Sequence, residues 1–110
     1  MIGSMPVRNR VLVAPMSGVT DAPFRRLLWR HGAGLVISEM TASEALADGN
    51  ADAALRLAGD STGPRVVQLA GCEPRWMGEG ARIAEASGAE VIDINMGCPA
   101  RRVTTGYAGS

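Results

Sequence analysis

Short apolar runs alternate along this chain with segments whose apolar residues recur at helical spacing. Val11-Leu12-Val13-Ala14 is the first run and stops at Pro15. A continuous apolar run of this length suits a strand buried on both faces. Gly18-Val19-Thr20-Asp21 then reads as a turn, with Thr20 or Asp21 placed to cap a helix carrying Pro23 in its first turn. Phe24, Leu27 and Leu28 give that helix its apolar stripe, and Gly32 and Gly34 end it.

Leu35-Val36-Ile37 is the second run. Thr41-Ala42-Ser43-Glu44 has the form of a capping box, in which Thr41 and Glu44 would satisfy the free amides of a helix start. Ala45, Leu46, Ala54, Leu55 and Leu57 follow at helical spacing, with Gly49-Asn50 as an interruption. A loop from Gly59 to Gly63 leads to the third run, Arg65-Val66-Val67-Gln68-Leu69. Glu73-Pro74 opens another helix, which presents Met77, Ala81 and Ala84 on one face and ends near Gly88. Val91-Ile92-Asp93-Ile94 is the fourth run.

Four buried strands separated by helices predict an α/β fold of parallel β/α units joined by right-handed crossovers. A doubly wound sheet and a TIM (β/α)8 barrel both satisfy that order. The first strand–helix turn, Pro15-Met16-Ser17-Gly18-Val19, has one glycine and lacks the dinucleotide-binding pattern. The expectation is therefore the N-terminal portion of a barrel. A complete barrel takes about 250 residues, so a chain of 110 residues is expected to hold less than half of one.

Parallel sheets gather their chemistry beyond the C-terminal ends of the strands. Those positions here are Ala14-Pro15-Met16, Ser38-Glu39-Met40, Ala70-Gly71-Cys72 and Asn95-Met96-Gly97-Cys98-Pro99, with Gln68 inside the third strand. Several have ordinary structural readings. Pro15 can simply end a strand, and Met16, Met40 and Met96 can fill a core. Glu39 suits a solvated loop. Gln68 can tie neighbouring strands together or bind a ligand. Asp93 alternates with Ile92 and Ile94, so it can point inward, where it would need a partner that the sequence does not name. Cys72 reads as a structural thiol and His31 as a surface helix cap. Cys98 stands out, because Gly97 and Pro99 hold it on a backbone able to approach a ligand closely.

Composition changes this picture little. Apolar residues make up 46% of the chain and charged residues 20%, as in globular domains. The formal charge is zero, so the segment carries no basic footprint for nucleic acid. All eleven basic residues are Arg. No stretch approaches the ~20 apolar residues of a membrane span, and two Cys make neither a disulfide framework nor a zinc site. A cytoplasmic protein without a membrane or metal partner is expected.

The strand-end residues resemble a known family. Ala14-Pro15-Met16-Ser17-Gly18-Val19-Thr20-Asp21-Ala22-Pro23-Phe24-Arg25 is similar to the opening motif of the tRNA-dihydrouridine synthases. Ser38-Glu39-Met40, Gln68-Leu69-Ala70-Gly71 and Asp93-Ile94-Asn95-Met96-Gly97-Cys98-Pro99-Ala100 follow in the family's order, and the B-type bacterial branch fits best. The resemblance implies an FMN-binding barrel followed by a helical tRNA-binding domain, with NADPH as reductant and tRNA as substrate. It implies that Ala14, Pro15 and Met16 lie against the flavin, that Gln68 hydrogen-bonds its ring, and that Asn95 orients the ring or the target base. Cys98 is the implied proton donor. A thiol with an ordinary pKa near ~8.5 is mostly protonated at neutral pH, as a donor must be. Arg101 and Arg102 replace the family's two lysines and could hold phosphate or base. The alternatives are another FMN-barrel enzyme acting on free pyrimidines, of the dihydroorotate or dihydropyrimidine dehydrogenase kind, and an inert truncated chain.

Overall fold

The computed structural model describes residues 1–57 and 63–97. In chain order its elements are β1 (Leu12–Val13), α1 (Ala22–Arg30), β2 (Leu35–Val36), β3 (Thr41–Ala42), α2 (Ser43–Ala47), α3 (Ala51–Arg56), β4 (Val66–Ala70), α4 (Pro74–Ala86) and β5 (Val91–Ile94). This is an α/β arrangement in which every pairing between the described strands is parallel. One sheet holds β1 and β2, and the other runs β3–β4–β5. A parallel bridge between Ile37 and Val66 carries the end of the second apolar run onto β4. Neighbours in space thus follow chain order, without the reversal that marks a doubly wound sheet.

The second run contains a bulge. Ile37 pairs with Val66, and Thr41 pairs with Leu69. Between those pairings the second strand takes four steps while β4 takes three. One residue of Ser38-Glu39-Met40 is therefore extra, an uncommon event between parallel strands. It also explains why the predicted capping box does not form. Thr41 belongs to β3, the residue before α2 is Ala42, and no side chain caps that helix. Continued pairing with β4 outweighs the local signal.

Asp21 acts as read, accepting from the Phe24 amide at 3.0 Å. Asn50, read only as part of an interruption, also caps α3 by accepting from Ala53 N at 3.0 Å. Pro74 opens α4, which ends at Ala86 with Ser87 as its cap. The core lies between the β4 face and α2, α3 and α4. It consists of Leu46, Ala53, Leu57, Val67, Leu69 and Ala84, with Met77, Ala81 and Ile92 packed against it. Ala53 takes the inward position on α3, whereas Leu55, expected in the stripe, is exposed.

The expectation of four strands buried on both faces holds for β2 and β4. It fails for the outer two. Leu12 in β1 is 52% exposed and Ile94 in β5 is 58% exposed. Each lies at an edge of the described sheets, where neighbours on one side are missing. Leu27 of α1 is exposed as well. The first ten residues are anchored to the end of α1 by Arg8. Its Nε donates to Ala33 O at 2.8 Å, a second guanidinium nitrogen donates to Trp29 O, and the group stacks 3.6 Å from the Trp29 ring centroid. A cation there complements the negative end of the helix dipole. No helix among the described residues is long and apolar enough to cross a membrane.

Candidate active site

Alternation along β4 decides what faces where. Val67 and Leu69 pack into the helix-covered core, so Gln68 lies on the opposite face. It is nevertheless buried. Asp93 is its register partner on β5, and Asn95 lies two residues further along the same face. Gln68 Nε2 donates to Asp93 Oδ2 at 2.6 Å. Asn95 Nδ2 donates to Gln68 Oε1 at 3.3 Å and meets Met40 Sδ at 3.5 Å. Asn95 Oδ1 in turn accepts from Gly97 N at 3.0 Å. A ladder of side-chain bonds therefore runs from Asp93 through both amides to the backbone just before Cys98.

The bulged segment supports the same ladder. Ser38 Oγ accepts from Gln68 N at 3.2 Å, and Ser38 N donates to Val66 O at 3.2 Å. Glu39, expected in solvent, is half-buried and accepts from Gly18 N at 2.8 Å through Oε1. It thereby ties the end of the second strand to the turn after β1. That turn is closed by Thr20, whose side chain is fully buried. Met16 N donates to Thr20 Oγ1 at 2.9 Å, and Thr20 Oγ1 donates to Met16 O at 3.2 Å. Gly18 adopts φ +75° within it, a conformation that L side chains rarely take.

Five of the expected site residues therefore fall into two units. Gln68 and Asn95 are directly bonded. Ala14, Pro15 and Met16 belong to the neighbouring turn, with Met16 exposed rather than packed as core filler. Met96 is exposed too. Cys98, Arg101 and Arg102 lie outside the described residues, as does most of the Gly59–Gly63 loop. Cys72, expected to serve structure, is free and exposed and fills no core space. His31 is exposed at the end of α1, as read. Sequence reasoning missed Ser38 and Thr20 as supports and left Asp93 without its partner. For Asp93 the signal was present, since alternation puts it on the Gln68 face. For Ser38 there was none, because its position depends on the bulge.

A family model described as dihydrouridine synthase matches residues 12–110. The chain belongs to the dihydrouridine synthase family. Relatives of that family agree. The chain is 58% identical over 106 residues to a probable tRNA-dihydrouridine synthase of Rhizobium leguminosarum bv. phaseoli, covering 96% of this chain and 33% of the relative. It is 48% identical over 110 residues to tRNA-dihydrouridine synthase B of Escherichia coli K12, covering 99% and 34%. A probable tRNA-dihydrouridine synthase of Rickettsia conorii is 48% identical over 111 residues, with 99% and 34% covered. The B-type resemblance read from the strand-end motifs agrees with these matches. The chain spans about a third of the length of these curated relatives.

Proposed function

We propose that these residues open the (β/α)8 barrel of an FMN-dependent tRNA-dihydrouridine synthase, the remaining strands and a helical tRNA-binding domain following them in the whole enzyme. Strand order supports the barrel, since parallel neighbours that follow chain order are what a closing β/α sheet requires. The observation that carries the functional reading is the bonded pair Gln68–Asn95, which runs from the middle of β4 to the residue just past the C-terminal end of β5, the side on which barrel enzymes place their chemistry.

The donor set fits one part of the implied cofactor. Neutral amides suit the alternating carbonyl and N–H edge of a flavin ring, and the exposed thioether of Met16 offers an apolar contact. None of Gln68, Asn95, Met16 and Met40 supplies the positive charge that a phosphate calls for. The phosphate contacts are assigned to the later strands. The chemistry that FMN supplies when bound and reduced by NADPH is hydride delivery to C6 of a uracil ring in tRNA. Gln68 would hold the ring edge, and Ala14, Pro15 and Met16 would line its face. Asn95 holds the Gly97 amide and with it the approach to Cys98. Cys98 Sγ gives its proton to C5 as charge builds there. Arg101 and Arg102 steady the phosphate or base of the displaced nucleotide.

Family membership also favours tRNA over free pyrimidines, the alternative substrate class. The test uses the full-length gene product in bacteria lacking dihydrouridine. Wild type is expected to restore dihydrouridine, measured by mass spectrometry of digested tRNA. Cys98→Ala is expected to abolish it while the purified protein stays yellow. Restoration by Cys98→Ala would remove that residue from proton transfer.

A further inference from the structure

The proposed flavin contact relies on an amide, and an amide has two ends that look alike in shape and opposite in chemistry. A Gln side chain turned by half a rotation exchanges its acceptor for its donors. Something must therefore decide which end of Gln68 faces which neighbour. Asn95 holds it only weakly: the donor-only Gly97 N fixes Asn95 Oδ1 at 3.0 Å, but the bond from Asn95 Nδ2 to Gln68 is a long neutral one, at 3.3 Å.

We infer that Asp93 is a positioning residue that sets the polarity of Gln68 and, through it, the hydrogen-bonding edge that the site presents. An ionised carboxylate only accepts. Its Oδ2 lies 2.6 Å from Gln68 Nε2, so the amino end of Gln68 must face β5. Oε1 is then committed to Asn95 Nδ2, at 3.3 Å. The other end of the ladder agrees, since Gly97 N, which only donates, faces Asn95 Oδ1 at 3.0 Å. An acceptor-only group at one end and a donor-only group at the other leave the two amides a single common orientation, with the charged bond to Asp93 holding Gln68. Parallel register makes the arrangement possible, since Gln68 and Asp93 are direct partners across β4 and β5.

The ordering also defines what Gln68 has left to offer. Nε2 keeps one hydrogen beyond the bond to Asp93, and Oε1 keeps one lone pair beyond the bond from Asn95. One donor beside one acceptor matches the carbonyl and N–H edge of a flavin or pyrimidine ring. The bond to the carboxylate is charge-assisted, so it outweighs a neutral alternative.

This inference rests on the flavin reading, and the test separates the two. Three versions of the full-length protein are compared: wild type, Asp93→Asn and Asp93→Glu. Asn has the size of Asp but can donate as well as accept, so it releases Gln68 to turn. Glu keeps an acceptor-only group. Asp93→Asn is expected to weaken FMN binding by about tenfold, the loss of one charged hydrogen bond. It should also shift the visible flavin band and move the Gln68 and Asn95 side-chain amide signals in isotope-labelled protein. Asp93→Glu is expected to retain most of the affinity and the band position. Equal behaviour of the two variants, whether both bind as wild type or both lose FMN alike, would overturn the positioning role. A wild-type protein that holds no FMN would instead sink the flavin reading, and the amide signals of Asp93→Asn would then decide the ordering of Gln68 and Asn95 without it.

Discussion

Gly71 stands directly against Ser43, so closely that a β-carbon at position 71 would lie 2.4 Å from Ser43 Oγ and 2.8 Å from Met77 Sδ. The contact brings the end of β4, the start of α2 and the face of α4 together at one point. A substitution there must displace two packed groups. Gly71→Ala is expected to cost about 1–3 kcal/mol, in the range of core overpacking. Gly78, one residue past Met77 in α4, is the contrast. Nothing lies within 4 Å of a β-carbon built there. Gly78→Ala is expected to stabilise by up to about 1 kcal/mol through helix propensity. Denaturant midpoints at unchanged slope would report both, with opposite signs.

Thr41 makes a second prediction. Its side chain is fully buried, and Oγ1 has no hydrogen-bond partner among the described residues. A desolvated hydroxyl without a partner is a cost that a methyl group of similar shape avoids. Thr41→Val is expected to raise stability by about 1–2 kcal/mol, seen as a higher unfolding midpoint. Unchanged or lower stability would mean that the hydroxyl is satisfied after all.

α1 depends on its ends more than on its face, because none of its residues is fully buried. Loss of the Asp21 cap should therefore be felt locally. Asp21→Ala is expected to cost about 1 kcal/mol and to speed amide hydrogen exchange at Phe24, whose N–H the cap accepts. Exchange at Phe24 as slow as in wild type would show that the cap contributes nothing.

Asn95→Ala should separate positioning from folding. It removes the acceptor from Gly97 N and the donor to Gln68 Oε1 together. In the full-length enzyme the turnover of tRNA is expected to fall by about a hundredfold, the scale of an ångström of misplacement near reacting atoms. The melting temperature should change far less in proportion. Single-turnover oxidation of the flavin by tRNA would measure the chemical step. A rate near that of wild type would free Asn95 from the mechanism.

The β/α order was legible in the sequence because apolar runs and helix signals agreed at most boundaries. Val91–Ile94 forms β5 as the fourth run predicted, and Pro74 and Asp21 mark helix starts where they were read. The proximity of two strand-end side chains was legible too, since Gln68 and Asn95 were singled out and do bond to each other. What escaped was whatever depends on pairing between distant segments. Thr41 resembles a helix cap locally, but its partner Leu69 holds it in a strand. Val11 and Leu12 read as doubly buried because their composition is that of a covered strand, yet Leu12 lies at an edge. Composition reports the surroundings a segment is suited to, and these two residues would be covered only by structure beyond the described sheets.

The extra residue in Ser38-Glu39-Met40 separates what a change of length would do locally from what it would do to the strand beyond. Thr41 lies opposite Leu69 and Ala42 opposite Ala70, so Thr41 faces the helices and Ala42 the Gln68 face. Removing one residue between Ile37 and Thr41 would leave three steps on each strand, and both flanking pairings could persist. The bulge would be gone, and with it the local geometry that brings Ser38 Oγ to the Gln68 amide. A gap of one there would be felt beneath Gln68 and not in the wall that follows.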